Sequence, residues 1–222
     1  MFSEDTTLLL SDWLRRTPPS VLSKNFGLPP SEIEKLPNRI LYISGRPAGI
    51  LGTGPGRCWG KESPEVHLEN GSDGPTSRTR GGETRVVDSH TFLMAKNIMG
   101  ALATIKPGGL RELHSHPNAS EWQYYISGKA RMTVFNSAGA HTMDFNANDV
   151  GFVPKVAGHY LENIGDTDLN VLEVFATGDF QEISLNNWIR RIPPDMAAAH
   201  LNLDADTIRK ISADVWVYIL PR

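Results

Sequence analysis

Hydrophobic positions fall into distinct regimes along this chain. Between residues 85 and 175 they come in short runs, several alternating with polar positions: 85–87, 101–105, 122–126, 130–135, 141–145, 150–153, 159–163 and 170–175. A period of two marks a strand with one face buried. Turn-forming clusters separate the runs, at Pro107-Gly108-Gly109, Ser127-Gly128, 136–139, 146–149 and 165–168. Many short strands at regular spacing predict an all-β fold, a sandwich or jelly-roll barrel. The mouth or interior of such a barrel is a natural place for a ligand.

Both ends read as helical, and they repeat each other. The segment from Thr6 to Pro37 and the segment from Glu182 to Ser212 align at a fixed offset. Trp13 matches Trp188, Arg15-Arg16 match Arg190-Arg191, and Pro18-Pro19 match Pro193-Pro194; Leu28, Ile33 and Lys35 match Leu203, Ile208 and Lys210. Ser11 and Ser184 are the expected N-caps of the two first helices. Between the first helical segment and the strands lies a polar stretch rich in Gly, Ser and Pro, which predicts an extended connection. The expected plan is a helical segment over 1–37, a linker over 38–82, a barrel over 83–180 and a helical tail over 181–222.

Composition narrows the function classes. A length of 222 residues, 40% apolar and with a net charge of −3, suits one soluble domain with extensions and gives no electrostatic case for nucleic acid or membrane as partner. Basic residues form no run longer than Arg15-Arg16 or Arg190-Arg191. Cys58 is alone, so an intrachain disulfide is excluded and thiol chemistry has no supporting partner. The start, MFSEDTTLLL, has neither a basic n-region nor a long apolar core, so no secretory signal is expected. That leaves a cytoplasmic location or descent from a secreted parent.

The chemistry concentrates in PGGLRELHSHPNASEWQYYISG, residues 107–128, where His114, His116 and Glu121 form H-x-H-x4-E; His159 follows in PKVAGHYLEN. Residues i and i+2 of a strand share a face, so His114 and His116 aim together, and Glu121 opens the next strand after a turn. Three imidazoles and one carboxylate suit Mn, Fe or Zn. On a six-coordinate ion they leave two positions open.

Gly108, Gly128, Pro154 and Asn163 stand around these residues at spacings that resemble the paired signature of the cupin superfamily, whose metal ligands are three His and one Glu. Asn148 and Val156 stand where that signature commonly has glycines, which concerns turn geometry. At RELHSHPNASEWQYYISGKARMTVF, GHYLENIG and ISLNNWIRRIPP the chain resembles the oxalate decarboxylase family, specifically the second half of those two-cupin proteins, from residue 83 to about 212. The resemblance implies Mn held by His114, His116, Glu121 and His159, with oxalate held by Arg111 and a proton handled by Glu173. Dioxygen would serve as electron acceptor. The product would be formate and carbon dioxide, or carbon dioxide and hydrogen peroxide if no acid is well placed. Phe180 stands where the family has tyrosine, and Ser115 where it has tryptophan. Ser3, Glu4, Asp5 and Thr6 resemble the lid that closes the first metal site. Two helical tails with one barrel imply a two-cupin ancestor that lost its first barrel, and a tail shaped to pack on a second cupin implies a homo-oligomer.

Other residues are expected to be structural: His90, His141 and His200, and the aromatic set Trp122, Tyr124 and Tyr125, which is expected in the core. His67 is expected on the surface of the linker. Competing functions are a cupin that binds metal and a small carboxylate without turnover, and an inactive shortened protein.

Overall fold

The computed structural model describes residues 9–41, 77–211 and 218–219. The expected lid at Ser3, Glu4, Asp5 and Thr6 lies outside them, as do Cys58, His67 and most of the expected linker. Three helices come first: α1 (Leu10–Arg16), α2 (Pro19–Phe26) and α3 (Pro30–Ile33). The strands follow as β1 (Ser77–Thr79), β2 (Gly82–Val87), β3 (Met99–Ile105), β4 (Leu110–Ser115), β5 (Glu121–Ser127), β6 (Lys129–Asn136), β7 (Gly139–Asn146), β8 (Val150–Val153), β9 (Gly158–Asn163), β10 (Leu169–Phe175) and β11 (Ile183–Ser184). The chain then forms α4 (Leu185–Arg191), α5 (Pro194–Leu201), α6 (Ala205–Lys210) and β12 (Tyr218–Ile219). None of these helices is long and apolar enough to cross a membrane.

Two antiparallel sheets face each other. One has the order β1-β2-β3-β10-β5-β8; the other has β11-β4-β9-β6-β7, with β12 also paired to β4. The late strand β10 lies between β3 and β5, and β9 lies between β4 and β6. This interleaving gives the expected all-β jelly roll with short helices at its ends. The lumen is filled by Ala103, Ile105, Tyr125, Met132, Val134, Phe145, Leu161 and Val171.

The helices close a second apolar layer on the outside of β4. Leu10, Trp13, Leu22 and Phe26 of the first set and Leu185, Ile189 and Leu201 of the second cluster with Leu110, Leu113, Phe135 and Tyr160. Every residue of β4 is therefore buried, which is why the period-two reading finds no strand over 110–115. The two helical copies share local devices. α2 and α5 each start with Pro at the first helical position and end on a left-handed residue, Gly27 (φ 65°) and Asn202 (φ 55°). Ser184 caps α4 as expected, its hydroxyl accepting from the Asn187 N–H at 3.2 Å. Ser11 does not cap α1. The helix already begins at Leu10, whose side chain is buried in the outer layer, and Ser11 instead accepts from the Leu41 N–H at 2.8 Å.

The aromatic set divides across its strand. Tyr125 is buried, but Trp122 and Tyr124 are 56% and 40% exposed, which corrects the expectation that all three are core. In β5 the inward positions are Glu121, Gln123 and Tyr125, so the alternate positions face outward. Asn148 and Val156 adopt φ of 74° and 69°, the left-handed turns that glycines would make without cost. A non-glycine residue there costs roughly 1–2 kcal/mol, and β-branched Val156 is the less tolerant of the two.

One irregularity in the ladder decides where Arg111 points. The pairing of β4 with β9 shifts register between Arg111 and His114. The Leu113 N–H that this bulge frees donates to Oδ1 of Asn25 in α2 at 2.8 Å, and Nδ2 of Asn25 donates to Oδ1 of Asn186 in α4 at 2.7 Å. Asn25→Ala leaves the buried Leu113 N–H without a partner. Stability should fall by about 1–3 kcal/mol, the usual cost of an orphaned buried donor. A denaturant melt tests this, and an unchanged midpoint would mean that the bulge holds without the helix.

Candidate metal centre

Four strands deliver the site. β4 carries Arg111 and His114, and His116 follows one residue beyond its end. β9 places His159 directly opposite His114. β5 opens with Glu121, and β10 places Glu173 opposite Gln123 on the inner face of its sheet. His114, His116, Glu121 and His159 are all buried, and one ligand atom from each lies within 4.8 Å of the others. The structure thus brings together the four residues expected from the H-x-H-x4-E pattern and His159. Among the described residues, His90, His141 and His200 take no part in this group. His90 is exposed, with Nε2 3.5 Å from Asp179.

Each imidazole is locked by a main-chain carbonyl. Nδ1 of His114 donates to Glu112 O at 2.7 Å, Nδ1 of His116 to Gln181 O at 2.9 Å and Nδ1 of His159 to Ala157 O at 3.1 Å. A carbonyl can only accept, so each Nδ1 carries a proton, and the neutral form of each ring presents an Nε2 lone pair to the centre. Nε2 of His116 and Nε2 of His159 lie 3.2 and 3.0 Å from Glu121 Oε2. All three of these atoms are buried without a well-formed hydrogen bond. Orphaned donor atoms converging on one point, from a borderline-to-hard ligand set, fit a divalent transition metal.

The electrostatics agree. Burial opposes ionisation of Glu121, but the His159 and His116 imidazoles outweigh it and hold the carboxyl well below the usual carboxylate range. Burial, helped by the Arg111 charge and the other two imidazoles, keeps His114 well below its ordinary value and so neutral. His116 moves the other way: burial lowers it, but Glu121 more than compensates. Glu121 is oriented from behind, since Oε1 accepts from Gln123 Nε2 at 2.7 Å and Gln123 Oε1 accepts from Tyr125 O–H at 2.5 Å.

The two expected catalytic residues lie at the same centre. Glu173 is 6% exposed, and burial, reinforced by the nearby Glu121 charge, pushes its carboxyl up to about 8. Arg111 is 3% exposed. The bulge turns it to the same side as His114, although residues three apart on a regular strand would face opposite ways. Its Nη2 forms an ion pair with Glu182, whose Oε2 also lies 3.9 Å from His114 Nε2. The sequence marked Glu182 only as the start of the helical tail and gave Glu112 no role. Glu112 is fully buried, with Oε2 accepting from the Ser184 hydroxyl at 2.8 Å. Phe180 packs edge-on to His116, ring centroids 5.4 Å apart, and to Phe175.

His159→Ala removes one of four converging donors. Manganese affinity, read by titration of the metal-free protein, should fall by at least about 10²-fold, since even outer-shell partners cost 10–100-fold. In the intact protein affinity should also fall with decreasing pH, because His116 binds a proton more readily than a free imidazole and a protonated ring cannot ligate.

Comparison with known proteins places this geometry. The cupin sequence profile matches residues 68–209. Oxalate decarboxylase OxdC of Bacillus subtilis is 43% identical over 211 residues, covering 92% of this chain and 54% of that protein. A probable oxalate decarboxylase of Arthroderma benhamiae is 39% identical over 213 residues, covering 94% of this chain and 52% of its own length. The solved structure of the Bacillus subtilis oxalate decarboxylase at pH 4.6 superposes with a TM-score of 0.65 at 40% identity, spanning 100% of this chain and 58% of that one. The chain therefore spans about half the length of the relatives it matches. With the profile running across the barrel and all four metal-capable side chains inside that match, the chain belongs to the cupin family.

Proposed function

We propose that this chain is an oxalate-degrading, manganese-dependent cupin that converts oxalate to formate and carbon dioxide. The observation that carries the reading is the company kept by the metal-capable group: a buried guanidinium at Arg111 and, at Glu173, a carboxyl that holds its proton into the neutral range. The relatives named oxalate decarboxylase support it.

His114, His116, Glu121 and His159 would hold the ion. Manganese, when bound, would anchor one oxalate carboxylate and, with dioxygen as electron acceptor, supply the oxidising capacity that weakens the C–C bond. Arg111 orients the substrate by pairing its planar fork with the far carboxylate. Its burial makes that pair stronger than it would be in water. Glu173 faces the centre from the opposing sheet with its proton on a carboxyl oxygen. As carbon dioxide leaves, the carbon left behind takes that proton together with the electron withdrawn at the start, which completes formate. The reaction is then redox-neutral overall. Where the proton is not delivered, a second oxidation gives a second carbon dioxide, and dioxygen leaves as hydrogen peroxide. Phe180 favours that alternative, because a phenyl ring beside His116 offers no hydroxyl to help the acid.

Two substitutions test the assignment on manganese-loaded protein. Arg111→Ala should weaken oxalate binding by about 1.5–3 kcal/mol, the range for hydrogen bonds to charged groups. Glu173→Gln should spare binding, cut formate production by about 10²–10⁴-fold, the size of a general-acid contribution, and shift residual turnover toward peroxide. The same variant has a readout without metal. Because burial raises Glu173, its proton contributes stability that is complete below the ordinary carboxylate range and is lost as pH rises toward about 8. Glu173→Gln should remove that slope from a pH series of melts. An unchanged formate yield would remove Glu173 from the mechanism. No turnover at all in the wild type would leave a binding protein or an inactive one.

A further inference from the structure

The partner that Arg111 already has is the most informative feature of the site. Glu182 Oε2 is paired with the Arg111 guanidinium and lies 3.9 Å from the metal-facing Nε2 of His114. One carboxylate oxygen thus sits between the cation that would grip a substrate and the cluster that would hold a metal. The other oxygen, Oε1, is buried and has no hydrogen-bond partner among the described residues. The Glu182 side chain is only 3% exposed. We propose that Glu182 is a resident carboxylate that occupies Arg111 in the ligand-free protein, and that the far carboxylate of the substrate binds by displacing it. The inference rests on the oxalate reading of the site.

The chain around Glu182 specifies how the displacement occurs. On one side, Gln181 O accepts from His116 Nδ1. On the other, Ile183 pairs with Ser115 in the ladder of β11 with β4. Further back, Gly178 O accepts from the Ser89 N–H at 2.8 Å, and Asp179 O accepts from Asn118 Nδ2 at 2.7 Å. The backbone is thus held on both flanks, and the movement open to Glu182 is rotation of its own side chain. Removing a carboxylate from a buried guanidinium is costly unless another anion replaces it. The exchange therefore selects ligands that carry a carboxylate at the right reach and rejects neutral molecules of the same size. Glu182 also leaves with an unsatisfied oxygen, which regains hydration as it swings out and lowers the cost of the exchange.

The test is calorimetric titration of oxalate into manganese-loaded protein with dioxygen excluded, so that binding is read without turnover. In Glu182→Gln the resident charge is gone, and oxalate should bind about 10–100-fold more tightly, the gain from releasing a site that is otherwise about 90–99% self-occupied. Glu182→Asp keeps the charge on a shorter arm and should fall between the two. That variant guards against a folding defect caused by the loss of charge. Manganese affinity should be unchanged in both. Equal or weaker oxalate binding by Glu182→Gln overturns the inference and makes Glu182 a support for Arg111. A loss of manganese affinity in that variant overturns it in favour of a metal ligand. If the wild type binds oxalate and Arg111→Ala binds it as tightly, the anion is not on Arg111, and this inference falls with that assignment. Binding by neither wild type nor Glu182→Gln overturns the oxalate reading and the inference together.

Discussion

A single break in the hydrogen-bond ladder governs the site. If β4 were regular, Arg111 and His114 would face opposite ways, one into the lumen and one toward the helices. The register shift between them puts both toward the centre while Leu110 and Leu113 go together to the helix layer. A bulge leaves main-chain polar groups unpaired, and here the freed Leu113 N–H is buried under α2. Asn25 supplies the missing acceptor, and Asn186 from the other helical copy holds Asn25 by two hydrogen bonds, one to its side chain and one to its main-chain carbonyl. The helices at both ends of the chain are thereby coupled to the position of one arginine 86 residues from Asn25 and 75 from Asn186 by the numbering.

That coupling also marks the boundary of what the sequence could tell. Strands whose outer face meets water alternate, and they were legible: β5, with Glu121, Gln123 and Tyr125 inward and Trp122 and Tyr124 outward, is a period-two segment. β4 was not legible by the same rule, because helices cover its second face and all its positions are buried. The metal group was legible because H-x-H-x4-E survives any detail of packing. Arg111 was placed only through the resemblance, since no periodicity accounts for a bulge. Glu182 was missed for a related reason. It belongs to neither a run nor a motif, and its position is set by main-chain contacts of its neighbours with His116 and Ser115, which are remote in sequence.

The charges of the site make sense only as a set. Glu112, Glu121, Glu173 and Glu182 surround one guanidinium and three imidazoles, all with side chains almost entirely out of solvent. Four ionised carboxylates against one fixed positive charge would be strongly unfavourable there. The structure meets this in different ways for different groups. Glu121 is kept ionised by the imidazoles, and Glu173 is kept protonated by burial and by Glu121. Glu182 is held by Arg111, and Glu112 accepts from the cap hydroxyl of α4. A divalent cation held where the ligand atoms converge would add positive charge there and would link metal binding to the protonation of Glu173, since it would stabilise nearby carboxylates and oppose the retained proton.

The repeated tails use one motif in two ways. Trp13 is buried, stacks on Phe135 with ring centroids 6.1 Å apart, and lies flat against Gly158, where an added Cβ would meet its ring at 2.7 Å. Gly158 precedes His159, so the first helix rests directly on the strand that carries one of the four converging side chains. Trp188, its counterpart, is 37% exposed. Alike in sequence, the two copies differ in what they cover, and the N-terminal copy is packed into the barrel's own outer layer. The N-terminal copy thus has work at this barrel: Trp13 supports His159 through Gly158, and Asn25 supports Arg111 through the bulge. The segment that looks like an appendage in the sequence buttresses two sides of one centre, the side with His159 and the side with Arg111.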